Sequence, residues 1–218
     1  DGWDSMKAGV PAGLPCISYP LSPPNDFLTW DDIVAKTAPM TANPTRPADE
    51  MCTIIYTSGT TGMPKGVMHN FGGFAKSIAA GLTRTPINEQ SRMLSYLPLS
   101  HIVERCLVEH GVLATGMQLY FAESLDTFTT DLQRAQPTTF FSVPRLWVKF
   151  QQGVSKKMPP AKLNRLLKIP ILSGIVRKKV LTALGLDKCT WAAGGAAPMP
   201  PELLTWYAKL GLPLVEGY

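Results

Sequence analysis

The sequence has few cysteines and no long apolar run. The four cysteines, Cys16, Cys52, Cys106 and Cys189, include no Cys-x-x-Cys pair, which argues against a zinc site and against a disulfide framework. No apolar run reaches the length of about 18 residues that a membrane-spanning helix needs. The first residues also lack the basic start and apolar block of a secretory signal. These absences predict reduced thiols and a cytoplasmic location.

The whole chain has a formal net charge of +5. Acidic residues are scarce in one part of it. Between Lys156 and Lys188, nine Lys and Arg residues stand against one acid, Asp187. This basic segment 156–188 can meet anionic lipid, nucleic acid or a phosphorylated ligand, or it can form an ordinary solvated helix face. We expect no nucleic-acid partner. Peripheral contact with the inner face of the membrane and formation of a homodimer stay open.

The composition predicts one sizeable core, because 45% of the 218 residues are hydrophobic and only 17% are charged. The chain starts with Asp and stops at Val-Glu-Gly-Tyr, and we interpret both ends as cuts within a longer protein. Residues 1–48 are rich in proline and glycine, which predicts a lead-in segment with one short helix at 29–36, capped by Thr29. Residues 49–218 are predicted to form the main region.

Strands and helices alternate after residue 49. Runs of β-branched and apolar residues predict strands at 53–57, 92–97, 117–121, 138–143, 189–193 and 214–216. Helices are predicted at 70–83, 100–114, 125–135, from Pro144 onward and at 200–209, with basic helices between 161 and 184. This alternation predicts an α/β fold, with a mostly parallel sheet layered between helices. In such sheets ligands bind at the carboxyl ends of the strands.

A loop rich in glycine and hydroxyl side chains, YTSGTTGMPKGV, starts at Tyr56. Its candidate phosphate-binding residues are Thr57, Ser58, Gly59, Thr60, Thr61, Gly62, Lys65 and Gly66. Glycines let backbone N–H groups approach an anion, hydroxyls add hydrogen-bond donors, and a lysine adds positive charge. The loop therefore predicts a polyphosphate-binding cradle. Pro64 and Gly66, on either side of Lys65, depart from the usual P-loop pattern.

The segment YTSGTTGMPKGV resembles the signature phosphate loop of the adenylate-forming enzymes, which include acyl-CoA synthetases, peptide-synthetase adenylation domains and luciferases. The resemblance implies that this loop holds the β and γ phosphates of ATP while a substrate carboxylate attacks the α phosphorus. Pyrophosphate then leaves and an acyl-AMP remains. The resemblance covers residues 49–218 and implies an AMP-binding fragment of the large N-terminal domain, truncated at both ends.

Three further segments resemble motifs of this family in the family's order. LPLSHIVER, which starts at Leu97, implies that His101 lies near the carboxylate and orients or polarises it. WAAGGAAPMP resembles the turn against which adenine lies; its small residues are Gly194, Gly195, Ala196 and Ala197. The chain ends like the opening of a Gly-Tyr-Gly-x-Thr-Glu motif, with Glu216, Gly217 and Tyr218. The resemblance implies that Tyr218 stacks on adenine.

The resemblance also implies the ligands and the reaction. ATP, Mg²⁺ and CoA are the expected cofactors and co-substrates, with Lys65 and His101 as catalytic residues and Thr60 as a Mg²⁺ ligand. LPLSHIVER and FFSVPRLWVKF are more similar to long-chain fatty acyl-CoA synthetases than to amino-acid-activating domains. We therefore expect a ligase of fatty acid metabolism that converts a long-chain fatty acid through acyl-AMP to acyl-CoA.

Other functions are also compatible with the sequence. The chain can belong to a different carboxylate-adenylating enzyme, such as an acyl-ACP ligase or an amino-acid activator. It can instead be a non-catalytic nucleotide-binding module, or bind lipid or nucleic acid through the basic segment 156–188. We expect the fragment itself to be inactive and at best a weak nucleotide binder, because the family's Mg²⁺-binding Glu and C-terminal catalytic Lys are not part of it.

Overall fold

A computed structural model describes residues 3–20, 22–57 and 62–217 of the chain. The chain divides into two compact units, Asp1–Thr45 and Arg46–Tyr218. The site residues that the sequence predicts all belong to the second unit. The four cysteines are free thiols, each half-buried.

The elements in the described part of the first unit are short. These are helix α1 (Trp3–Met6), a 3-10 turn (Lys7–Gly9), strands β1 (Ile17–Ser18) and β2 (Leu28–Thr29), which pair in parallel, and helix α2 (Trp30–Lys36). The Thr29 hydroxyl accepts a hydrogen bond from Asp32 N at 3.1 Å. This N-cap satisfies an amide that the first turn of α2 leaves without a helical partner, and it confirms the predicted helix and its cap.

The described residues of the second unit form seven strands and the remaining helices. The strands are β3 (Met51–Thr57), β4 (Lys65–Asn70), β5 (Arg92–Ser95), β6 (Gln118–Phe121), β7 (Thr139–Ser142), β8 (Trp191–Gly194) and β9 (Leu214–Glu216). The α-helices are α3 (Phe71–Leu82), α4 (Gly111–Thr115), α5 (Phe128–Ala135), α6 (Pro144–Lys157), α7 (Pro160–Leu167), α8 (Pro170–Leu184) and α9 (Pro201–Lys209). A π-helical segment, Glu104–His110, precedes α4.

Parallel pairing dominates the sheets, which confirms the predicted α/β fold. β5 pairs with β6, and β8 pairs with both β7 and β9, in each case in parallel. The two parallel sheets lie edge to edge, because Thr138 N donates to Arg92 O at 3.0 Å and Arg92 N donates to Thr138 Oγ1 at 2.9 Å. The carboxyl ends of β5, β7, β8 and β9 therefore lie along one side of this layer.

Strand β4 corrects the sequence analysis, which predicted a loop up to the helix at Asn70. Residues 65–70 instead pair antiparallel with β3, with Thr57 opposite Lys65 and Tyr56 opposite Gly66. Gly66 suits this pairing, because a Cβ at that position would lie 2.8 Å from Ile54 Cγ2. The helix that follows begins where predicted, since the Asn70 side chain caps α3 by accepting from Gly73 N at 2.7 Å.

The helix predicted over residues 100–114 is also corrected. Seven of its residues, Glu104–His110, form the π-helical segment, and a regular α-helix resumes at Gly111. Arg105 links this segment to the β3–β4 hairpin, because its guanidinium donates to Thr53 Oγ1 at 2.9 Å and to Glu109 Oε2 at 2.8 Å. π-Helical turns inside helices occur frequently at functional sites.

The main core lies between the parallel strands and helices α5 to α9. Trp147, Tyr207 and Phe140 are each fully buried, and the Trp147 ring packs edge-on against the other two, with centroid distances of 4.9 Å and 5.3 Å. Trp147 Nε1–H donates to Ala193 O at 3.3 Å, and the Tyr207 hydroxyl donates to Trp147 O at 2.8 Å. This cluster fixes α6 and α9 against strand β8, directly before the Gly194–Gly195 turn.

Candidate active site

The predicted phosphate loop connects the two strands of the hairpin. Thr57 ends β3 and Lys65 begins β4; they pair across the hairpin, and Thr57 Oγ1 donates to Lys65 O at 3.4 Å. Both side chains are exposed, as are Gly62 and Met63, and Gly62 has φ +84°, in the left-handed region. Ser58, Gly59, Thr60 and Thr61 lie outside the described residues. The described flanks of the loop therefore face solvent and are not packed into the core.

A second group of predicted residues meets at the carboxyl ends of β8 and β9. Gly217 N donates to Gly194 O at 2.7 Å, and Gly195 N donates to Ser142 O at 3.3 Å. Gly194 and Gly195 are buried. A Cβ on Gly195 would lie 3.0 Å from Gly217 O and 3.0 Å from Phe141 Cζ. Only glycine fits this close approach without moving a neighbour, so the strand ends and the turn form one compact backbone surface.

The turn continues into exposed small residues. Ala196 and Ala197 are exposed, and Ala196 has φ +67°, a left-handed conformation that is uncommon for a residue with a side chain. The Glu216 carboxylate holds the turn, because Oε1 accepts a hydrogen bond from Met199 N at 3.0 Å. A strained backbone conformation like that of Ala196 persists only where surrounding contacts hold it in place. Such conformations are frequent at ligand-binding sites. Tyr218 lies outside the described residues.

His101 lies after β5 and before the π-helical segment. It is half-buried, its backbone N donates to Pro98 O at 2.8 Å, and its Nδ1 accepts from Val103 N at 3.2 Å. The acceptor role of Nδ1 leaves Nε2 as the ring nitrogen that carries the proton in the neutral form. His101 can therefore donate a hydrogen bond from Nε2 to a carboxylate oxygen.

Glu104 is a buried residue of the site that lies within LPLSHIVER and for which the sequence predicted no role. Its side chain is only 2% exposed. One carboxylate oxygen accepts a hydrogen bond from the Ser95 hydroxyl, and the backbone amides of Tyr96 and Leu97 also bond to it. Glu104 therefore fastens the π-helical segment to the end of β5. The only signal in the sequence was an acid directly after the apolar pair Ile102 and Val103.

Burial raises the pKa of the Glu104 carboxyl above its ordinary value, and the hydrogen bonds and the charge of nearby His101 offset only part of this effect. A raised folded-state pKa means that the folded protein binds the proton more tightly than the unfolded chain does. The contribution of Glu104 to the free energy of unfolding is therefore complete below the unfolded-state pKa. This contribution is lost as the pH rises through the folded-state pKa.

We expect the Glu104→Gln variant to lose this pH dependence. Urea unfolding at a series of pH values above 4.5, the ordinary pKa of a glutamate side chain, should show the wild-type free energy of unfolding falling relative to that of Glu104→Gln. Glu104→Ala is the contrasting variant, since it leaves Ser95 and two amides without their acceptor and should be less stable by about 1–3 kcal/mol at every pH. Parallel pH profiles for wild type and Glu104→Gln would contradict this account.

The structure therefore brings the predicted residues together in two groups. Thr57 pairs with Lys65 on the hairpin, and Gly194 and Gly195 meet Glu216 and Gly217 at the strand ends. Between residues 62 and 217, no hydrogen bond joins Lys65 or His101 to the second group. Within the described part of the chain, no cluster of three His, Cys, Asp or Glu side chains is arranged to hold a metal ion. The predicted Mg²⁺ ligand Thr60 is outside it.

The chain belongs to the AMP-binding enzyme family, which matches residues 11–218. Curated relatives include the long-chain-fatty-acid–CoA ligase ACSBG2 of Xenopus laevis, 34% identical over 78% of this chain and 27% of the relative. The peroxisomal acyl-CoA ligase 891 of Penicillium brevicompactum is 33% identical over 78% of this chain and 28% of its own length. The chain thus spans little more than a quarter of these relatives.

Solved structures agree with this assignment. The adenylation domain of a carboxylate reductase from Mycobacterium chelonae is 25% identical, with a TM-score of 0.68 over 87% of this chain and 30% of that chain. The corresponding domain from Segniliparus rugosus, in complex with AMP and a co-purified carboxylic acid, is 28% identical with a TM-score of 0.66, over 87% of this chain and 31% of that chain.

Proposed function

We propose that this chain is the nucleotide-binding part of a ligase that converts a long-chain fatty acid through acyl-AMP to acyl-CoA. The observation that carries the proposal is the backbone surface at the ends of β8 and β9, where Gly195 leaves no space for a side chain beside Gly217. A flat purine can approach a backbone of this kind closely. The identity to the long-chain-fatty-acid–CoA ligases supports the substrate class.

Each group of residues has a distinct part in the proposed reaction. The turn 194–197 and Gly217 receive the adenine, and the loop flanked by Thr57 and Lys65 receives the phosphates. A carboxylate oxygen of the substrate forms a bond to the α phosphorus while the bond from that phosphorus to the pyrophosphate oxygen breaks. Lys65 supplies positive charge for the phosphate oxygens, and His101 holds the attacking carboxylate in line. CoA thiolate then attacks the acyl-AMP carbonyl and AMP leaves.

A second candidate is activation of another carboxylic acid. It is favoured by the carboxylate reductase domains, which are 25–28% identical to this chain. The two candidates share the adenylation step and differ in the acid that is accepted and in the acceptor of the acyl group. The first candidate therefore predicts that the acid is a long-chain fatty acid and that the product is an acyl-CoA.

A substrate panel tests the proposal. The complete protein that contains this chain is incubated with ATP, Mg²⁺, CoA and either palmitate, a short aliphatic acid or an aromatic acid, and acyl-AMP and acyl-CoA are measured by mass spectrometry. We expect both products with palmitate, at a rate at least about ten-fold above that with the other acids. Preference for the aromatic or short acid would favour the second candidate. Absence of acyl-AMP with every acid would overturn both.

A pair of glycine variants tests the adenine surface. Gly195→Ala should raise the KM for ATP about ten-fold, because the added methyl group displaces the turn from Gly217, and displacements in packed sites typically cost 1–3 kcal/mol. Gly153→Ala in α6 is the matched control, since nothing lies within 4 Å of its added Cβ. An unchanged KM for Gly195→Ala would remove the turn from the proposed site.

A further inference from the structure

The first half of helix α8 exposes large aliphatic side chains. Ile171 is 82% exposed and Ile175 is 61% exposed, and Ile169 and Leu172 beside them are 42% and 38% exposed. Ile171 and Ile175 are four residues apart, so they lie on the same helix face. We call these four residues the aliphatic tip. Isolated apolar side chains on a surface are ordinary, but a contiguous group marks an interaction site.

Positive charge surrounds the aliphatic tip. Lys178 lies three residues after Ile175, on the same face of α8, with Lys179 beside it, and Lys168 precedes the tip. No Asp or Glu occurs between Asp131 and Asp187. Helices α6, α7 and the tip therefore carry positive charge with no acid of their own. Asp187 lines the groove next to Lys178 and Lys179 and is the nearest acid along the chain.

The opposite face of α8 is fixed in the protein. Val180 and Leu184 of α8 and Leu163 of α7 are buried in the main core. Pro170 begins the helix, and its fixed φ suits the first turn. The aliphatic tip is consequently held outward by a packed helix. It needs no rearrangement to meet a partner.

A groove lies between α8 and α5 beside the tip. It has a volume of about 660 Å³, and Ile175, Lys178 and Lys179 line one side, with Gln133 and Gln136 of the α5 end opposite. Gln133 Nε2 is already engaged with Ala183 O at 2.8 Å. Two ammonium groups lie next to this open groove, and exposed isoleucines adjoin them. The ammonium groups match the phosphate of a lipid headgroup, and the isoleucines match the acyl chains below it.

We infer that the aliphatic tip and its lysines dock on the surface of an anionic lipid bilayer. Aliphatic side chains enter the region below the headgroups, and lysines at the next turn extend to the phosphates. Single-stranded nucleic acid is the poorer match, because its bases stack on aromatic side chains and α8 has none. No helix within the described residues is long and apolar enough to cross a bilayer. This inference does not rest on the proposed function.

Vesicle co-sedimentation of the complete protein tests the inference. Vesicles of one part phosphatidylglycerol to two parts phosphatidylcholine should bind the protein, and pure phosphatidylcholine should bind it at least about ten-fold more weakly. Lys178→Gln/Lys179→Gln should weaken partitioning onto the anionic vesicles about 30-fold, because each basic residue at such a surface accounts for about a five-fold change. Ile171→Asn/Ile175→Asn should weaken it about ten-fold.

Matched control variants distinguish a specific effect of the aliphatic tip and its lysines from a general effect of lost charge or hydrophobicity. Lys76→Gln/Lys209→Gln removes two exposed lysines elsewhere, and Leu125→Asn removes a side chain that is 92% exposed outside the tip. Both should bind anionic vesicles like wild type. Equal binding of all variants, equal loss in the controls, or binding of single-stranded RNA instead of vesicles would each overturn the inference. Adenylation without vesicles should be unchanged in the tip variants, so failure of this proposal is distinct from failure of the proposed function.

Discussion

Replacement of Gly185 by alanine should lower the free energy of unfolding by about 3 kcal/mol. Gly185 is the residue after α8, with φ +75°, and a left-handed conformation costs an alanine roughly 1–2 kcal/mol. Its Cβ would also lie 2.7 Å from both Gln133 N and Leu132 C. These atoms are backbone of α5, which cannot yield like the end of a flexible side chain, and the strain therefore adds to the conformational cost.

Urea unfolding followed by circular dichroism measures this effect as a lower midpoint with an unchanged slope. Gly174→Ala is the matched control, because Gly174 is inside the same helix and nothing lies within 4 Å of its added Cβ. Alanine there should stabilise the protein by up to about 1 kcal/mol, since glycine is a poor helix former. Equal midpoints for the two variants would show that α5 and α8 do not approach each other as described.

Removal of the Trp147 side chain should have a still larger effect on stability, about 3–5 kcal/mol for Trp147→Ala. The ring is fully buried and packs against Phe140 and Tyr207. Its loss leaves a cavity and also removes the hydrogen bond to Ala193 O. Thermal and urea unfolding of the variant measure this loss, and a destabilisation below 1 kcal/mol would contradict the position of Trp147 in the core.

Trp147 also borders the candidate adenine surface, because a Cβ on Gly194 would lie 3.3 Å from Trp147 Cδ1. Trp147→Phe keeps an aromatic ring but removes the donor to Ala193, so it should fold and yet raise the KM for ATP by about five-fold, the equivalent of one neutral hydrogen bond. Tyr207→Phe is the control. It removes only the hydroxyl that donates to Trp147 O and should destabilise by about 1 kcal/mol without a change in the KM.

The sequence predicted those features that depend on neighbouring residues. The cap at Thr29, the start of a helix at Asn70, the helix starts at Pro144 and Pro201 and the alternation of strands and helices all follow from local hydrogen bonding and fixed backbone angles. Strand β4 was missed because its hydrogen bonds go to β3. Residues 65–70 carry no strong strand signal of their own, and pairing with β3 decided their conformation.

In the candidate site, too, some features depend on neighbouring residues and others depend on contacts across the fold. The residue types in YTSGTTGMPKGV indicated a polyphosphate-binding loop, because glycines and hydroxyl-bearing residues in such density have few structural uses. The adenine turn in WAAGGAAPMP was predicted only through its resemblance to a family motif. Only the tertiary structure placed Gly195 against Gly217, and Glu104 beneath the end of β5. Those contacts join residues far apart along the chain, or groups whose burial depends on the whole fold. Local sequence therefore determined the chemistry that is available, and packing decided which of these groups meet.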